Sequence, residues 1–170
     1  MRKQKINRIC LTGVLSALVF VVTAYLHIPT GNGYIHVGDG LISFAACILP
    51  APYAMAVGAG GAALADCLSG FAIWAPGSAL IKALSALLFS SKGRRVLTLR
   101  NIPALLPAAL LCAGGYYLYE AILYGNLIAP LGGIVASLVQ SGASAILFLA
   151  IGLSFDKMDG KRKLDGGNRL

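Results

Sequence analysis

Charge is scarce in this sequence, and negative charge is scarcest. Asp, Glu, Lys and Arg make up only 12% of the chain, against 58% hydrophobic residues, and six of its 170 residues are acidic. A water-soluble domain is nearer half apolar and about a quarter charged. The balance excludes a separate soluble domain and implies an integral membrane protein. Cysteine is sparse too. Cys10, Cys47, Cys67 and Cys112 lack paired spacing, which excludes a zinc ribbon or a thioredoxin-like motif. All four lie in or beside apolar segments and read as small buried hydrophobes. The motifs H-E-x-x-H and G-x-S-x-G are missing, as is a phosphate-binding glycine loop followed by Lys-Ser or Lys-Thr. The chain has no means of hydrolysing ATP and no catalytic constellation, so it is not read as an enzyme. His36 and Asp39 share an H-x-x-D spacing, but two ligands on a loop are too few for a metal site, and no cofactor is expected.

What the sequence has is apolar length. Six segments are expected to be transmembrane helices, at residues 9–26, 37–49, 53–71, 76–90, 102–124 and 127–155, with 156–170 as a polar tail disordered near its end. They form one all-α membrane domain over 1–170. The basic start followed by an apolar run resembles a signal peptide. At about 18 residues, however, the run exceeds the usual 7–15 and no A-x-A site follows, so it is read as a retained helix. Residues 27–37, with Pro29, Gly31, Asn32 and Gly33, read as a loop. Gly58, Gly60 and Gly61 mark the third segment for tight packing inside a bundle, and Gly13 and Ala17 form a small-xxx-small pair on the first.

Net charge is +8, which by itself is compatible with nucleic acid. Its distribution points elsewhere. Every Lys or Arg except Lys82 lies at the N-terminus, after the fourth segment or at the C-terminus. Six spans put these three clusters on one face, and the positive-inside rule makes that face cytoplasmic. The charge is then juxtamembrane, facing the lipid bilayer's anionic headgroups, and a nucleic-acid partner is not expected.

The same topology fixes the depth of the polar residues. Asp39 opens the second span at the outer side. Asp66 lies ~7–8 Å and Lys82 ~9 Å from the outer ends of the third and fourth, at the helical rise per residue. Glu120 is one turn from the outer end of the fifth. Ionisable groups at such depth are functional-site candidates, and together they outline a pocket open to the outside. Tyr116, Tyr117, Glu120 and Tyr124 recur at helical spacing; aromatic faces stack on flat rings, and a carboxylate accepts from ring N–H or amino groups. Asn126 and Gln140 add neutral polar groups. Structural roles stand beside these. Asp39 suits a helix cap, Asp66 and Lys82 suit an ion pair between neighbouring helices, and Trp74 and the tyrosines suit an interface belt.

The run from Gly33 to Asp39, then Gly58 to Gly70 with Ala63-Leu64-Ala65-Asp66, then Ala75-Pro76-Gly77 and Ile81-Lys82, resembles the substrate-binding S component of energy-coupling factor (ECF) vitamin transporters, nearest the riboflavin and hydroxymethylpyrimidine types. The resemblance implies high-affinity binding of a vitamin or precursor in an outward pocket roofed by the loops after the first, third and fifth spans. It also implies docking on a transmembrane coupling subunit that carries two ATPases, through small residues four apart on the first helix. Here those are Gly13 and Ala17, with glycine at one alanine position. The candidate substrate contacts are Tyr34, His36, Asp39, Asp66, Trp74, Lys82, Tyr116, Tyr117, Glu120, Asn126 and Gln140. Tyr116, Tyr117 and Glu120 favour a pyrimidine or pyridine over a large flavin. The alternatives are a small membrane enzyme working through Asp39, Asp66 and Glu120, and a scaffold subunit with no small-molecule ligand.

Overall fold

The computed structural model describes residues 2–30 and 33–164. Its elements run α1 (Arg2–Tyr25), β1 (His27–Thr30), β2 (Gly33–His36), α2 (Gly38–Ile48), α3 (Ala51–Leu68), α4 (Ala75–Leu87), α5 (Leu105–Tyr124), α6 (Leu131–Lys157) and α7 (Gly160–Leu164). The architecture is nearly all-α. Three helices, α1, α5 and α6, are long and apolar enough to cross a membrane.

The core is built around α2. Nine of its residues, from Gly38 to Cys47, are buried, and it touches α1, α3, α4 and α6. A helix apolar all round belongs inside a bundle. Its shortness follows: enclosed by other helices, it need not span the lipid by itself. Proline sets the next start, since Pro50 caps α3 and Pro52 follows in its first turn, where the missing N–H has no helical partner in any case. The glycines of α3 admit close neighbours. A Cβ on Gly61 would lie 2.6 Å from Val19 of α1, and one on Gly58 would lie 2.8 Å from the Lys82 carbonyl of α4.

At one end of the bundle the irregular connection between α4 and α5 is stitched to the C-terminal end of α6. The Asp156 carboxylate accepts from the Val96 and Leu97 amides at 2.7 and 2.9 Å. Lys161 donates to the Ser91 and Gly93 carbonyls. Asn101, fully buried, accepts from the Ser90 amide and donates to the Ser90 and Val96 carbonyls. These bonds satisfy backbone groups that no helix serves.

Three expectations change. The stretch 27–37 is not simply a loop: β1 and β2 pair antiparallel, with His27 opposite His36 and Thr30 opposite Gly33. α5 begins at Leu105 and α6 at Leu131, three to four residues later than expected. Pro103 therefore precedes α5, Pro107 falls in its first turn, and Pro130 caps α6. The polar tail holds the last residues of α6, a turn at Met158 and Asp159, and the short helix α7 as far as Leu164. The expected disorder near its end lies outside the described residues.

Candidate ligand-binding site

At the other end of the bundle, the end of α3 makes the first wall. Ser69 closes the helix, Gly70 takes φ +86°, and the Phe71 amide returns to the Asp66 carbonyl at 2.8 Å. That glycine-dependent stop brings Phe71 and Trp74 to the same cavity that Asp66 lines. The hairpin adds Tyr34, whose ring lies 5.0 Å from Phe71 and 4.8 Å from His27; Phe71 in turn meets Trp74 edge-on at 5.8 Å. α5 contributes Tyr116 and Glu120, and α6 contributes Gly133, Ser137 and Gln140. Together they enclose a cavity of about 280 Å³.

Its polar groups are partly committed. Tyr34 donates its phenol to Asp66 Oδ1 at 2.5 Å. Burial and the Asp66 carboxylate hold that phenol well above its ordinary pKa. The Ser78 hydroxyl bonds the Tyr116 hydroxyl at 2.9 Å. Trp74 donates to Glu120 at 3.4 Å, and the other oxygen of Glu120 faces Gly133, where a Cβ would stand 3.4 Å from it.

His36 Nδ1 accepts the Gly38 amide at 3.1 Å, which leaves the ring proton on Nε2. Burial pushes its pKa from 6.5 down to about 4, so the imidazole is neutral at physiological pH. Between those two values the unfolded chain binds a proton that the folded chain does not, so stability falls as pH drops through the window. Thermal unfolding followed across it is expected to show that loss, and His36→Gln to remove this part of the slope. A slope unchanged in the variant would assign it to other groups.

Below the cavity sits a second, drier cluster. Lys82, 1% exposed, bridges Asp39 at 2.8 Å, contacts Cys112 Sγ at 3.4 Å and lies 4.9 Å from the Tyr116 ring centroid. Gln140 links the two levels, since its amide donates to Asp39 at 2.9 Å and its carbonyl accepts the His36 amide at 3.4 Å.

The expected residues therefore divide. Tyr34, His36, Asp66, Trp74, Tyr116, Glu120 and Gln140 come together around the cavity. Asp39 and Lys82 lie beneath it. Tyr117 turns away and bonds the Leu127 carbonyl, while Asn126 accepts the Ile128 and Ala129 amides and so builds the turn before α6. Two pairings are corrected. Lys82 takes Asp39, not Asp66, because α2 also packs against α4 and brings its carboxylate to 2.8 Å from the ammonium. Asp39 consequently faces inward in the first turn of α2 and is not its cap, a position held by Val37. The three carboxylates of the enzyme alternative are thus not assembled, for Asp39 is separated from Asp66 and Glu120.

This arrangement is an aromatic-walled cavity at the end of the bundle opposite the basic clusters. The family model for the ECF-type riboflavin transporter S component matches residues 3–157. The chain belongs to that family. No individually curated protein matches it. As an ECF S component it is a multi-pass protein of the cell membrane, in a family of vitamin transporters whose members work with an ECF module of transmembrane and ATPase subunits. Such components are transporter parts, not enzymes.

Sequence reasoning missed Phe71, Ser78, Gly133 and Ser137 at the S component's cavity. A signal for two of them was present. Gly133, Ser137, Gln140 and Ser144 follow the 4-3-4 spacing of one helical face in an otherwise apolar segment.

Proposed function

We propose that this S component spans the membrane six times with both termini in the cytoplasm, binds a flat heteroaromatic vitamin or vitamin precursor with high affinity from outside, and delivers it through an ATP-driven ECF importer. The cavity between the hairpin, α3, α5 and α6 carries the proposal. Its volume of about 280 Å³ sits at the small end of ligand sites, and its walls combine stacking rings with fixed acceptors. The six helices α1 to α6 alternate in direction under this topology, and the basic clusters gather at the end away from the cavity, which supports an outward-facing site. Riboflavin, named by the family, is the first ligand to test. A smaller pyrimidine or pyridine is the second, in keeping with the cavity's size.

Trp74 is the only tryptophan of the chain and lines the cavity, so its fluorescence reports occupancy directly. Titrating the detergent-purified protein with these compounds is expected to quench or shift the emission at one ligand per chain. No response to any of them, together with no small molecule in native mass spectra of protein from its own membranes, would refute a ligand-binding role.

Docking is assigned to α1. Gly13 and Ala17 are both exposed, and nothing lies within 4 Å of a Cβ built on Gly13. That leaves a small-residue strip open to a partner helix. Gly13→Leu with Ala17→Leu is expected to leave ligand affinity unchanged and to lower uptake in cells that hold the ECF module by about 10-fold or more, the loss of one close helix contact. Wild-type uptake would move the docking face elsewhere.

A further inference from the structure

The cavity's charge is unbalanced. Asp66 and Glu120 both line it, and no Lys or Arg does among the described residues. The nearest cation, Lys82, is held by Asp39 in the cluster below. His36 is neutral and has its Nδ1 lone pair occupied. Asp66 is 6% exposed; its Oδ1 takes the Tyr34 hydroxyl, the Ser78 hydroxyl stands beside the carboxylate, and its buried Oδ2 has no hydrogen-bond partner of good geometry among the described residues. Among the described residues, Glu120 receives only the long bond from Trp74. A buried carboxylate oxygen without a donor is costly, and a second, half-buried carboxylate in the same cavity adds to its repulsion of further negative charge.

Resting on the vitamin-binding reading above, we propose that the ligand itself supplies donors to this site: it is a flat nitrogen heteroaromatic bearing N–H groups, neutral or positively charged, with one donor taken by the Asp66 carboxylate and another by Glu120. Anionic vitamins and phosphorylated forms are excluded from the site. The aromatic chain of Tyr34, Phe71 and Trp74 adds to this choice, because ring faces attract cations and electron-poor rings.

Matched pairs that differ in charge test it. Thiamine (cationic) and riboflavin (neutral) are titrated beside their monophosphates, with nicotinate, biotin and pantothenate as anions, each read by Trp74 fluorescence. One unphosphorylated compound is expected to bind, and its phosphate at least ~100-fold more weakly, as a like charge beside two carboxylates requires. Glu120→Gln and Asp66→Asn are each expected to weaken the preferred compound by about 10- to 100-fold, the value of a charged hydrogen bond. In the double variant the discrimination against phosphate shrinks. Discrimination retained in full by the double variant would mean that size, not charge, excludes the phosphate, and would overturn the proposal. Tight binding of a phosphate or of an anionic vitamin would overturn it while leaving the vitamin-binding reading intact. Failure of every compound, with none co-purifying, removes that reading and this proposal with it. The variants are near-isosteric, and unchanged melting temperatures separate lost contacts from lost fold.

Discussion

Lys82→Met alone is expected to cost about 3–5 kcal/mol, enough to remove much of the folded protein from mild detergent. The ammonium is 1% exposed and the Asp39 carboxylate 15%, and the two meet at 2.8 Å. Deleting the cation leaves Asp39 with the Gln140 amide as its remaining partner, in a region walled by Ile42, Leu105 and Ala108. The Coulomb energy of the pair is not what is lost; the dominant effect is an uncompensated charge in a medium that solvates it poorly. The double change Lys82→Met with Asp39→Leu therefore recovers most of the stability, since an apolar pair of similar volume often matches a buried ion pair. Thermal unfolding of the two single variants and the double variant forms a cycle. Additive losses would show that the two side chains do not act as a pair. Because Lys82 also sits under the Tyr116 ring, the single variant is expected to weaken ligand binding as well, through the ring's position and not through contact with the ligand.

The same cluster shows where sequence reading reaches its limit. Depth along a helix is legible, because rise per residue is fixed; Asp66, Lys82 and Glu120 were placed toward one end of the bundle, and Asp66 and Glu120 reach the cavity. Partnership is not legible, because it depends on which helices become neighbours. Asp66 and Lys82 lie on α3 and α4, which do pack together, yet the lysine reaches past that interface to α2. Helix existence was carried by hydrophobic length and helix ends by proline, with errors where two prolines competed, as before α5. The hairpin is hard to see in the sequence: Gly31-Asn32 between two runs is a hairpin signal, but four-residue runs are too short for alternation to show. Tyr117 and Asn126 have the chemistry of ligand contacts, but one helical position of rotation turns Tyr117 outward, and Asn126 accepts the amides two and three residues on, as a turn builder does.

Gly40→Ala sets two forces of opposite sign against each other, and the close contact is expected to win. Helix propensity alone predicts a gain of about 0.5–1 kcal/mol from alanine. The new methyl carbon, however, would stand 2.5 Å from the Ser144 carbonyl oxygen, 3.1 Å from Leu147 Cβ and 3.2 Å from the Phe148 amide. These are mostly backbone atoms of α6, so no side-chain rotation relieves them; α2 and α6 must move apart. Overpacking of this kind costs about 1–3 kcal/mol, and the rigid partner places Gly40 at the upper end. Gly13→Ala supplies the control, because with nothing within 4 Å only the propensity gain remains, and its melting temperature is expected to rise slightly. The loss at Gly40 extends to the ligand. Separating α2 from α6 pulls Asp39 from the Gln140 amide, and Gln140 is the residue that joins the cavity to the ion pair beneath it. A stable Gly40→Ala variant with wild-type ligand affinity would mean that α2 and α6 have slack between them, and that the floor of the cavity does not depend on their contact.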